Sequence, residues 1–109
     1  MTTVYETRTY TFYVGKVPEA IKLYTEIGFP WMQRRGLNRN LVGFFQSDTG
    51  MSNQFIHIWK FESDVARRDH WASVAADPEY LEQLAPKLRP LIMSQEVKLM
   101  LPLPWGPHP

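Results

Sequence analysis

The sequence contains no cysteine. That absence removes disulfides, thiolate metal sites and a cysteine nucleophile together, and it fits a reducing compartment. An excess of charge of one sign is also missing. Twelve Lys and Arg stand against eleven Asp and Glu, a net charge of +1. This is too little to create the long-range field with which proteins gather nucleic acid or acidic membranes. No apolar run approaches the ~20 residues of a membrane-spanning helix. The chain opens Met1-Thr2-Thr3 and passes almost directly into a strand pattern, without the features of a signal or transit peptide. The expectation is a soluble cytoplasmic protein with no nucleic-acid or membrane partner. Gly-rich phosphate loops and GxSxG elbows are absent as well. His57, His70 and His108 have no ligand spacing, so neither a metal nor a cofactor is expected.

What is present is a one-domain composition. Of 109 residues, 44% are apolar and 21% charged, the balance of a globular chain rather than a disordered one. Aromatic residues make up 14%, with four Trp, six Phe and five Tyr. That much ring surface overfills a small core and spills onto an interface or a cavity wall.

Residues 4–13 (VYETRTYTFY) alternate without Gly or Pro and read as a strand. Neither parity is cleanly polar, so the strand is central and covered on both faces. Pro18 suits the first turn of a helix carried by Val17, Ala20, Ile21 and Tyr24. Gly28 and Pro30 are expected to end or bend it, with a shorter turn at residues 31–34 as its continuation; residues 34–40 read as a solvated basic loop, with an anion site as the alternative. Residues 41–47 and 54–61 read as a β-hairpin. Ser63 and Asp64 cap a helix running to about Ala76, and Asp77-Pro78 starts another helical piece. Residues 93–101 read as the last strand. The domain is taken as residues 1–101. Residues 102–109, with four prolines, form an extended arm whose Trp105 either docks on a neighbouring subunit or frays.

This order is β-α-β-β-α-β, an α+β ferredoxin-like split βαβ motif. The right-handed crossover rule gives an antiparallel sheet in the order 4-1-3-2. Both helices then cover one face. Strand three carries Phe55, His57, Trp59 and Phe61 on one parity and Ile56 and Ile58 on the other. A bare apolar sheet face is a large patch that soluble monomers avoid, so two subunits are expected to pack their open faces together as a homodimer.

The residues Tyr5-Glu6-Thr7-Arg8-Thr9-Tyr10, Gly15-Lys16, Leu41-Val42-Gly43-Phe44-Phe45, Gly50 and Asn53-Gln54 resemble the NIPSNAP family in order and spacing. So do the block His57-Ile58-Trp59-Lys60-Phe61-Glu62-Ser63 with Arg67, and Pro90-Leu91-Ile92 with Gln95-Glu96. Phe61 departs from the Tyr frequent there, and the tail after Leu101 lies outside the resemblance. The resemblance implies a ferredoxin-like subunit in a dimeric α/β barrel, without an established reaction. The wider superfamily includes cofactor-free monooxygenases, heme-degrading enzymes, dye-type peroxidases and muconolactone isomerases. Fold analogy of this kind does not assign function.

Arg8, Tyr10 and His57 are polar groups on strands expected to be buried, where they need partners. Glu6 and Arg8 share a strand face. Two roles are open for this cluster. It is either an internal ion pair or the polar lining of a small-molecule cavity, with Arg8 holding an anion or enolate and Tyr10 donating to it. In an enzyme of the monooxygenase or isomerase kind His57 would be the base. Glu6, Trp59, Trp71 and Gln95 are the further candidates for ligand contact. His70, among Arg67, Arg68 and Asp69, reads as solvated. Heme-degrading relatives carry a ligating histidine three turns beyond the tryptophan, where this chain has residues 77–81 and no histidine. The leading expectation is a small-ligand-binding or assembly module. The alternatives are a cofactor-free enzyme and, behind it, heme binding.

Overall fold

The computed structural model describes residues 2–109. Strand β1 (Val4–Phe12) pairs antiparallel with β3 (Gln54–Phe61) on one side and β4 (Ile92–Met100) on the other, and β2 (Leu41–Gln46) lies beyond β3. The order β2-β3-β1-β4 is the one the crossover rule dictates. Register decides which side chains share a face. Val4 lies opposite Phe61, Glu6 opposite Trp59, Arg8 opposite His57 and Tyr10 opposite Phe55. All eight face the helices, and with Phe12 they form the floor of the core.

The first helical region runs through the expected break. Helix α1 (Val17–Leu23) passes through a π turn (Tyr24–Gly28) into α2 (Phe29–Arg35). Phe29 N–H reaches back five residues to Tyr24 O. This wider turn absorbs the donor that Pro30 lacks, so the proline neither ends nor breaks the helix. Gly28 is buried at the turn, and a Cβ there would meet the Tyr24 ring at 2.8 Å. Gly36, at φ +70°, supplies the left-handed cap that ends α2. Residues 34–40 are not a free basic loop, since Arg34 and Arg35 close α2 and Leu37–Asn40 form a 3-10 turn. Arg35 bonds Asp77 (2.7 Å) and Glu79 (3.3 Å), and Arg34 also pairs with Glu79. Such exposed pairs are worth less than about 1 kcal/mol each, but they latch α2 to the turn after the next helix.

Helix α3 (Asp64–Ala76) begins as its caps require. Ser63 Oγ accepts from Ala66 N–H at 3.1 Å, a contribution of about 1 kcal/mol. Asp77 Oδ1 accepts from the N–H groups of Glu79 and Tyr80. A second π turn (Tyr80–Leu84), α4 (Ala85–Leu88) and a 3-10 turn (Arg89–Leu91) then lead into β4. No helix among the described residues is long and apolar enough to cross a membrane.

The other sheet face carries Thr7, Thr9, Thr11, Ile56 and Ile58, all half-buried, and no helix covers it. The Pro-rich tail lies against one end of this face of the same chain. Tyr5 OH donates to Pro109 O at 2.8 Å. A shallow groove of about 340 Å³ separates Tyr5, Val42 and Ile58 from the returning tail. Trp105 itself stays 69% exposed.

Candidate functional site

The site grows from one buried carboxylate. Glu6 is fully buried beneath α3, where an unpaired charge would cost several kcal/mol. Both its oxygens are occupied. Oε2 accepts from Arg8 Nη1 and Oε1 from Arg67 Nη1, each at 2.9 Å. Arg67 Nε and Arg68 Nε in turn reach the two oxygens of Asp64. Glu6 therefore aims Arg8 from behind. The Arg8 guanidinium lies over the Trp71 ring, 4.3 Å from its centroid. Burial works against the Arg8 charge, but Tyr10 and Glu6 outweigh it and the group is held more firmly protonated than usual. Burial also pushes the Tyr10 phenol up, partly offset by Arg8, so it stays neutral.

His57 sits beside this cation, 97% buried. Its ring stacks flat on Phe44 (centroids 4.4 Å apart, planes 2° apart) and meets Tyr10 edge-on. Trp59 Nε1 donates to His57 Nδ1 at 2.7 Å. An indole N–H can only donate, so Nδ1 presents its lone pair and the hydrogen of the neutral ring sits on Nε2. Burial, reinforced by the Arg8 charge, lowers the His57 pKa to about 3. The neutral His57 ring therefore carries its donor at Nε2.

His70 is half-buried rather than freely solvated. It packs against Trp59, Phe61 and Trp71 with ring centroids 4.6–5.1 Å away. Burial lowers its pKa to about 4. The signal for this lies in helical spacing. Arg67, His70, Trp71 and Val74 follow i, i+3, i+4, i+7, the inward stripe of α3, and the charged neighbours Arg68 and Asp69 sit off that stripe.

These groups surround a cavity of about 200 Å³ between the sheet and the helices. Arg8, Tyr10, His57 and Trp59 line it from the sheet. Trp31, Met32, His70, Trp71, Val74 and Tyr80 line it from the helical layer, with Arg89 at the side of Tyr80. Arg8 Nε, His57 Nε2, His70 Nε2 and Trp71 Nε1 are buried without hydrogen-bond partners. Trp31 Nε1 is a fifth such atom; it lies toward Asp77, whose carboxyl is held low by Arg35 first and by this indole in smaller part. Of the residues singled out from the sequence, Arg8, Tyr10, His57, Trp59 and Trp71 meet at this cavity. Glu6 stands behind it as the support of Arg8. Gln95 pairs in register with Tyr10 but is exposed on β4, outside the lining. Trp31, Tyr80 and His70 are lining residues that the sequence reading does not assign. Among the described residues no three His, Cys, Asp or Glu side chains gather as a metal site.

A four-stranded antiparallel sheet with helices on one face and a cavity between the layers defines a ferredoxin-like α+β domain. The comparisons place it more narrowly. The chain belongs to the NIPSNAP family, whose family model matches residues 5–107. The match takes in most of the Pro-rich tail, which the resemblance read from the residues does not reach. A NIPSNAP family protein of unknown function from Agrobacterium tumefaciens str. C58 is similar at 37% identity and a TM-score of 0.87, over 97% of this chain and 93% of that one. An uncharacterized NIPSNAP-like domain protein from Burkholderia xenovorans is similar at 28% identity and a TM-score of 0.88, over 98% and 90%. An antibiotic biosynthesis monooxygenase-like protein from Chloroflexus aurantiacus J-10-fl shares the fold at 14% identity and a TM-score of 0.60, over 99% and 98%. A search of curated proteins finds no match.

Proposed function

We propose that the protein is a small-ligand-binding module, with the cavity between sheet and helices as its binding site and a second copy of the chain closing its open sheet face. What supports the first part is a void lined by polar and aromatic side chains from β1, β3 and α3, several of which also carry a buried nitrogen without a protein partner. Each buried polar atom left unpaired costs about 1–3 kcal/mol. Several on side chains around one cavity mark a polar site rather than a sealed apolar core. A pure assembly module would satisfy these side chains within the protein and leave no void.

The test uses the tryptophans as reporters. Trp31, Trp59 and Trp71 line the cavity while Trp105 lies on the exposed tail. In ¹H–¹⁵N spectra, a panel of single-ring fragments, neutral and anionic, is expected to shift the Trp71 indole signal saturably and leave that of Trp105 unmoved. If no fragment moves the cavity indoles, or all four move alike, the cavity is not a binding site.

The dimer rests on the uncovered face of half-buried Ile56, Ile58 and threonines, with Phe45 57% exposed on β2. Light scattering at micromolar concentration is expected to return twice the 12.8 kDa chain mass. A single-chain mass would remove this part and leave the cavity standing.

A further inference from the structure

We infer that the cavity is built for an acceptor-only, planar oxyanion, a carboxylate or an ionised enol carried on a compact ring. This rests on the binding role proposed above and names the chemistry of the occupant. Three of the buried unpaired nitrogens are donors whatever their surroundings do. Arg8 Nε and Trp71 Nε1 carry hydrogens that cannot be lost near neutral pH. His57 Nε2 is a donor because Trp59 has taken the other nitrogen's lone pair. No Asp or Glu lines the cavity among the described residues. The nearest carboxylate, Glu6, already has both oxygens occupied by Arg8 and Arg67. The Tyr10 hydroxyl and His70, a neutral ring with one hydrogen and one lone pair, can present either character. The side chains that line the cavity thus bring fixed donors and a guanidinium, and no fixed acceptor.

A neutral amide fits this lining poorly. Its NH₂ would face N–H groups and find no fixed acceptor, while an oxyanion can accept from several donors at once. Hydrogen bonds from charged or strongly polarised donors to an anion are roughly twice as strong as neutral ones. The rest of the lining selects the body of the ligand. Trp59, Trp71, Tyr80 and Met32 give flat apolar walls suited to one ring, and about 200 Å³ leaves little room beyond it. Exposed Arg89 beside Tyr80 adds a second cation at the lining, which favours the approach of anions.

The experiment compares isosteric probes on the wild-type chain: benzoate, benzamide, and 1,3-cyclohexanedione, which is ionised as its enolate at neutral pH. Benzoate or the enolate is expected to bind at least about tenfold more tightly than benzamide, and to move the Trp71 indole N–H signal downfield as it accepts from it. Whichever anion binds better identifies the source of the oxyanion. Arg8→Gln is expected to erase the preference. Because Arg8 also supports Glu6, the wild-type selectivity stands as the test if that variant fails to fold. Benzamide binding as well as benzoate would overturn the inference and leave the binding site intact. Failure of all three probes to move any cavity indole would remove both.

Discussion

Replacing Glu6 with Gln is expected to destabilise the fold by about 3–5 kcal/mol, the usual loss when one member of a buried ion network is neutralised. The side chain is fully buried between two arginines whose own side chains are only 18% and 15% exposed. Glutamine keeps the shape, so no cavity term enters. What changes is charge. Arg8 and Arg67 lose the carboxylate that compensates their burial, and the new amide NH₂ points a donor at guanidinium donors. Arg67 retains Asp64, but Arg8 has no other carboxylate partner among the described residues. For a domain of this size a loss of that order lowers Tm by more than ~10 °C. Urea denaturation of the variant against wild type measures it. Arg68→Gln, which only touches Asp64 at the surface, is the control and is expected to change stability by less than about 1 kcal/mol. A Glu6→Gln loss as small as that of the control would mean the network is electrostatically idle.

The same pair shows what the sequence makes legible. Glu6 and Arg8 are two residues apart on a strand, so period 2 alone puts them on one face. His57 and Trp59 are related in the same way, and their hydrogen bond follows from that proximity. The strands, their order and the Ser63 and Asp77 caps are legible because alternation, crossover handedness and cap chemistry are local or nearly so. Three features are not. Pro30 reads as a stop because nothing in the composition announces a π turn that tolerates it. With the helix expected to end or bend there, only a short turn is legible at residues 31–34, and the place of Trp31 in the cavity wall is invisible. His70 reads as solvated because its charged neighbours dominate the view, although the α3 stripe through Arg67, Trp71 and Val74 points it inward. The basic run at 34–40 reads as free because its partners, Asp77 and Glu79, are some forty residues away. Which role His57 plays lies deeper still, since it turns on which ring nitrogen Trp59 occupies.

The burial of the His57 ring makes the fold sensitive to mild acid. His57 has an ordinary pKa of 6.5 when exposed and about 3 in the folded protein, because burial and then the Arg8 charge disfavour its cationic form. Between those values the unfolded chain binds a proton that the folded chain refuses, so stability rises with pH across this window and is fully present only above about pH 6.5. Lowering the pH from 7 to 5 is expected to remove about 2 kcal/mol through His57 alone. His70, lowered to about 4 by burial, adds to the loss in the same direction. Asp64, held low by Arg68 and then Arg67, and Asp77, held low by Arg35, act in a separate window. Their contribution persists above the ordinary carboxylate range and is lost only as pH falls through their depressed values. Urea denaturation at pH 7, 6 and 5 therefore isolates the histidines. The expected result is a steady fall in unfolding free energy over that range, with the His57 ring signals in NMR staying those of a neutral imidazole throughout. A curve flat from pH 7 to 5, or a His57 that titrates near 6.5 in the folded protein, would mean the ring is not sealed between Phe44, Trp59 and the cavity, and the donor assigned to Nε2 would lose its basis.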